Sequence, residues 1–226
     1  MKKLVFTLTF GLSLLALSSQ AQKKADNGVL SFGIRAGVNF QNINGKDANG
    51  DKLDYKLKTG FNVGANVELP LADEFYLQPG LLFSTKGHKS KTVDGSRSIS
   101  YLELPINFLY KPVLGEGKLL LGVGPYIAYG IGGKVKFTGN GTTINRDVKF
   151  KNSVNQIDYY TSAGAYFKPF DFGANLLAGY ELSNNLSVQL NAQLGLAKIN
   201  PKLEGSTSNA KETNTGFGVS VGYRCK

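Results

Sequence analysis

The chain has 226 residues, 28 of them glycine, with 42% apolar residues, 11% aromatic residues and no tryptophan. This suits one folded domain, and glycine without a Gly-X-Y period beside only 7 prolines excludes collagen-like and low-complexity chains. The net charge is +10, while one cysteine, Cys225, and one histidine, His88, exclude an internal disulfide, a thiolate zinc cluster and any two-histidine metal site.

The first element is a leader. Lys2 and Lys3 precede an apolar run over 4–17, and Ser19 and Ala21 are the small residues of a signal-peptidase site. Residues 1–21 therefore read as a signal peptide cleaved before Gln22, and 22–226 as the mature domain. The run is shorter than the ~20 residues a helix needs to cross hydrocarbon, and no cysteine follows it, so an anchoring helix and a lipoprotein are set aside. Export also sets aside nucleic acid as the partner of the positive charge.

Beyond the leader the period becomes two. Apolar residues alternate with small or polar ones over 30–40, 61–69, 75–83, 102–110, 119–129, 172–180, 188–196 and 217–223. The polar face is built of Gly60, Asn62, Gly64 and Asn66 in the second segment and Gln189, Asn191, Gln193 and Gly195 in the seventh. A solvated sheet would carry more charge there, whereas a narrow polar interior needs small residues around a few large ones. Connections alternate between long (43–58, 87–97, 132–169, 198–214) and short (70–74, 111–118, 183–185). Outward aromatics sit at strand ends: Phe40, Phe61, Phe83, Tyr129, Phe172 and Phe217 at one rim, Phe75, Tyr110, Tyr180 and Tyr223 at the other. The pattern predicts an all-β fold, an eight-stranded antiparallel up-and-down transmembrane β-barrel. A soluble lipocalin-like ligand-binding barrel is the competing architecture, but it needs an apolar lumen.

The blocks Leu77-Gln78-Pro79-Gly80-Leu81-Leu82-Phe83, Tyr101-Leu102-Glu103-Leu104-Pro105-Ile106, Gly122-Val123-Gly124-Pro125-Tyr126, Phe170-Asp171-Phe172-Gly173 and Gly179-Tyr180-Glu181-Leu182 carry a family resemblance. Through them the mature chain resembles the PorT-like outer-membrane β-barrel domain family of Gram-negative bacteria. The resemblance implies residence in the cell outer membrane, delivery by the barrel-insertion machinery and, for some members, a tie to protein secretion or gliding. Such chains usually end in a Tyr-x-Phe-like signal, whereas this one ends Tyr223-Arg224-Cys225-Lys226.

Two motifs suggest chemistry and lack its context. Gly218-Val219-Ser220-Val221-Gly222 matches a nucleophile elbow, but no helical pattern follows and the only histidine falls in a connection at the other rim. Asp47, Asn49 and Asp51 resemble the start of a calcium loop, but Lys52 and Lys58 occupy the positions of its glycine and its bidentate glutamate. No catalytic, cofactor or metal residue is assigned, which leaves a small outer-membrane enzyme as the alternative function.

Inward-facing charges are few. Arg35 and Glu103 fall near mid-strand, and Glu68, Glu181 and Arg224 fall near the short-turn rim. Arg35 is expected to face Glu103, and Arg224 to meet Glu68 or Glu181, in a lumen that side chains fill without a solute path. The long connections are basic: Lys46, Lys52, Lys56 and Lys58, then Lys89, Lys91 and Arg97, then Lys198, Lys202 and Lys211. Within 132–169, Val135 to Phe137 and Val148 to Phe150 predict a hairpin around Asn140-Gly141. Its Lys134, Lys136, Arg146, Lys149 and Lys151, with Tyr159 and Tyr160, form the candidate partner-binding loop. These cations suit the phosphates of lipopolysaccharide or an acidic surface or secretion partner, and a merely solubilising role explains them equally well. The expected function is structural, adhesive or secretion-associated rather than catalytic or pore-forming.

Overall fold

The computed structural model describes residues 30–139, 141–161, 164–205, 208 and 210–225; the expected leader and cleavage site, and Asn140 of the expected turn, lie outside the described residues. In chain order the strands are β1 (Ser31–Lys46), β2 (Lys58–Ala72), β3 (Phe75–Lys89), β4 (Asp94–Tyr110), the short β5 (Val113–Leu114) and β6 (Gly117–Gly139). Then come β7 (Thr142–Phe150), β8 (Ser153–Val154), the helix α1 (Gln156–Thr161), β9 (Ala165–Phe167), β10 (Phe170–Glu181), β11 (Leu186–Gly195), β12 (Lys202–Leu203) and β13 (Lys211–Cys225). Eight of these close into a ring in the order β1-β2-β3-β4-β6-β10-β11-β13, every pair antiparallel, with β13 returning to β1. Closure leaves no sheet edge, the condition for strands to cross hydrocarbon. Tracing partners once round the ring returns to β1 about ten residues further on, and this stagger tilts the strands.

The alternation puts apolar side chains outside and polar ones inside. Val63, Leu104, Val123, Leu176, Leu190 and Val219 are exposed on the outer face, while Asn39, Gln78, Ser84, Asn107, Gln189 and Ser220 are buried within. Such an inverted distribution is stable only where lipid, not water, covers the wall. Aromatic rings pair along both rims: Phe40 with Phe217 at 5.4 Å, Phe61 with Phe83 at 5.5 Å and Tyr129 with Phe170 at 5.1 Å on one, Phe75 with Tyr110 at 4.9 Å on the other. Glycine makes the narrow lumen possible. A Cβ at Gly173 would lie 2.8 Å from the Tyr126 ring, which fills the space beside it.

Strand pairing continues well past the lipid belt at the long-connection end. β3 and β4 stay paired to Lys89 and Ser96, so the segment 87–97, expected as a loop, is mostly ladder. β6 pairs with β4 as far as Thr138 and, from Lys134 onward, also with β7 on its other edge, ending with Gly139 opposite Thr142, which gives the expected hairpin. β9 runs back parallel to β7 and folds inward. Ile99, Tyr101, Tyr126, Ala128, Val135, Val148 and Phe167 form a buried cluster, with Phe150 packed on it. The main apolar core thus caps the mouth of the barrel, and Gly130 leaves the space that the Phe150 ring enters.

Candidate functional site

The lumen holds two charge clusters. In the half towards the long connections, Lys86 of β3 places Nζ 2.8 Å from Glu103 Oε2 on β4 and 3.2 Å from Asp171 Oδ2 on β10; its side chain is 0% exposed. Nζ also lies 4.2 Å from the centre of the Tyr126 ring. Tyr126 Oη donates to Asp171 Oδ2 at 3.2 Å, Asn214 Nδ2 donates to the same oxygen at 2.9 Å, and Gln193 Nε2 donates to Glu103 Oε1 at 2.8 Å. Towards the short-turn rim, Lys111 Nζ lies 2.7 Å from Glu68 Oε2 and 2.9 Å from Glu181 Oε2, and Arg224 Nη2 lies 2.8 Å from Glu181 Oε1. Gln78 Nε2 donates to Glu68 Oε1 at 3.2 Å, so each carboxylate there meets several donors.

The expected pairing of Arg35 with Glu103 is corrected: Arg35 forms no ion pair among the described residues, because Lys86 holds Glu103 instead. Arg35 and Glu103 do line one polar cavity of about 50 Å³, with Asn39, Asn62, Ser84 and Asn107 around them. That volume is large enough for a water molecule, and its polar lining suits one. Arg224 meets Glu181, one of its two expected partners, while Glu68 is taken by Lys111. Lys86, Lys111 and Asp171 were missed by the sequence reading. All three lie in the inward frame, just beyond the point where outward apolar alternation stops.

At the long-connection end the candidate cations divide. Lys134 is opposite Asp147 and Lys136 is opposite Asn145, so both share a hairpin face with Lys149, while Arg146 is opposite Val135 on the other face. Lys149 and Lys151 lie 6.0 and 5.4 Å from the centre of the Tyr166 ring, and Lys151 Nζ is 3.7 Å from Asp158 Oδ2. Tyr159 is an exposed residue of α1; Tyr160 belongs to the same helix, with its side chain outside the described residues. Tyr166 and Phe167 are a second omission, hidden in what reads as connection. Arg97 sits beside the buried core with its guanidinium 4.4 Å from the Phe167 ring centre and an ion pair to Glu212.

The two tempting motifs resolve into structure. Ser220 is 1% exposed in the middle of β13, and its Oγ accepts from Asn191 Nδ2 at 3.0 Å. Asp47 Oδ1 accepts from the backbone N–H groups of Asn49 and Asp51, both at 2.9 Å, which makes that segment a turn.

Among solved structures, the chain is similar to Ail, the attachment invasion locus protein of Yersinia pestis, solved in complex with the heparin analogue sucrose octasulfate. Identity is 14% and the TM-score 0.40, over 87% of this chain and 99% of that one. OprG of Pseudomonas aeruginosa gives 13% identity and a TM-score of 0.46 over 88% and 97% of the two chains. A major outer membrane protein of Thermus thermophilus gives 14% and 0.42 over 87% and 100%. No curated protein matches. The family model described as outer membrane protein beta-barrel domain matches residues 20–200, which include every ring strand but β13, and the chain belongs to that outer-membrane family.

Proposed function

We propose that the protein is a structural or adhesive element of the outer membrane, acting through a basic extracellular surface and serving neither as a solute pore nor as an enzyme. The observation that carries this is the closed interior: eight strands enclose ion-paired side chains and a cavity of only about 50 Å³, so activity must reside outside the lumen. In barrels of this family type the short turns face the periplasm and the longer connections face outward, which sets the hairpin β6–β7 on the cell surface. Its Lys134, Lys136 and Lys149 line one face, and Phe137 and Ile144 stay exposed on the other. A cationic ladder beside exposed apolar residues suits an acidic partner, including lipopolysaccharide phosphates or a secretion component. The leader directs export and is cleaved before Gln22. Within the family, the Tyr101 to Ile106 block favours the PorT-like branch.

The decisive experiment has two parts. Purified monomer in planar bilayers shows no steady conductance, and Lys134→Gln/Lys136→Gln/Lys149→Gln weakens binding of intact cells to an immobilised polyanion. Steady large conductance, or unchanged polyanion binding, overturns the proposal.

A further inference from the structure

The lipid-facing wall is hollowed on one side. Ala178 and Ala192 sit among Leu176, Leu190 and Phe217 and leave a groove of about 740 Å³ that begins at Tyr110 and Phe108. Leu176, Ala192 and Phe217 also wall a second hollow of about 600 Å³, which climbs past Leu194 and Thr215 to Asn42 and Asn44. The two make one apolar trough that rises from β4 across β6, β10, β11 and β13 and ends on β1, above the outer aromatic girdle.

What lies above the trough is ordered in tiers. On the outward face β1 and β13 pair Phe40 with Phe217, Asn42 with Thr215, Asn44 with Thr213 and finally Lys46 with Lys211. Lys52 bridges to the other side of Lys46. Three lysines thus stand side by side, all exposed, although like charges directly opposite each other on neighbouring strands repel. None of them forms an ion pair among the described residues. Of the acidic groups beside them along the chain, Glu212 turns to Arg97 and Asp47 caps its own turn, while Asp51 adjoins Lys52 but forms no ion pair with it among the described residues. The arrangement therefore has an excess of positive charge, an amide and hydroxyl tier beneath it, and an apolar channel beneath that.

We infer that this face holds one phosphorylated glycolipid of the outer leaflet. An acyl chain occupies the upper part of the trough, sugar hydroxyls meet Asn42, Asn44, Thr213 and Thr215, and phosphate is bound by Lys46, Lys52 and Lys211. The inference rests on the outward orientation taken under the proposed function, but on a different surface from the hairpin. Height selects the ligand class. Six residues of a tilted strand separate Phe40 from Lys46, about 14 Å along the barrel axis. A glycerophospholipid carries its phosphate next to the glycerol and does not reach that far, whereas a phosphorylated saccharide headgroup does.

The test is native mass spectrometry of the detergent-purified whole protein with rough lipopolysaccharide bearing phosphorylated core sugars. Retention of one glycolipid is expected, and it is about tenfold weaker after chemical removal of the phosphates, with phosphatidylglycerol in its place, or in Lys46→Gln/Lys52→Gln/Lys211→Gln. Ala192→Trp fills the trough and weakens retention comparably, with folding checked by the heat-dependent gel shift. The lysine variant lies above the belt and keeps the test decisive if the tryptophan variant fails to insert. Equal retention of dephosphorylated or glycerol-based lipid, or retention unchanged in the lysine variant, overturns the inference. A two-chain species abolished by Ala192→Trp also overturns it, because a second copy then fills the trough. Lys134→Gln/Lys136→Gln/Lys149→Gln should leave glycolipid retention unchanged, so failure of the hairpin reading is distinguishable from failure of this one.

Discussion

Replacing Lys86 by methionine keeps the aliphatic stem and removes the charge, which leaves Glu103 and Asp171 in the lumen without their shared cation. Both lie within 3.2 Å of Nζ, and the lysine side chain is 0% exposed, so solvent does not screen the loss. Breaking a buried pair of this kind costs about 3–5 kcal/mol. Asp171 retains Tyr126 and Asn214 as donors and Glu103 retains Gln193, which places the expected value at the lower end, about 3 kcal/mol. Distance alone does not govern this. Lys91 lies closer to Asp54, at 2.6 Å, but those side chains are 42% and 73% exposed, and Lys91→Met should cost under about 1 kcal/mol. Urea unfolding in lipid vesicles, read by the folded gel band, measures both. Adding Asp171→Asn to Lys86→Met should recover part of the loss, since it removes one orphaned carboxylate. A Lys86→Met cost no larger than that of Lys91→Met, or strictly additive costs in the double variant, would refute the reasoning.

Arg35→Leu should cost clearly less than Lys86→Met in the same assay, because Arg35 faces a polar cavity of about 50 Å³ and has no direct carboxylate partner; an equal cost would show a tight pair. Gly130→Leu should destabilise by about 1–3 kcal/mol by displacing the Phe150 ring, and Phe150→Ala in the same chain should relieve part of that loss. Deleting 138–143 should leave a heat-modifiable barrel, whereas deleting 134–151 removes Val135, Val148 and Phe150 from the mouth and should lower the unfolding midpoint; equal midpoints would show the cap to be dispensable. Cys225 is exposed at the short-turn rim, so a membrane-impermeant maleimide should label it only after the outer membrane is permeabilised; labelling of intact cells would reverse the orientation.

Where lipid bounds the wall, the sequence was a faithful guide. All eight alternating segments are ring strands, because in that zone the period of two is enforced from both sides, by hydrocarbon outside and by packing inside. Above the girdle only the hydrogen-bond ladder remains, and either face can be polar. The alternation therefore fades after Phe83 although β3 continues to Lys89, and the inward Lys86 went unread. Asp171 was lost in the same way at the start of β10, and Lys111 beyond the end of β4. Arg35 shares a cavity with Glu103, as its depth suggested, but the ion pair goes to Lys86, since a direct partner can be assigned by depth only when every competing charge in the lumen is known. The mouth cap was invisible for a different reason. Val148, Tyr166 and Phe167 are brought over the barrel by a parallel return of β9 onto β7, a contact between segments that neither local period nor turn signal announces. That return decides which part of the surface hairpin can vary: its base is bound into the core that closes the barrel, and only its tip, with Phe137 and Ile144 exposed, is free to follow a partner.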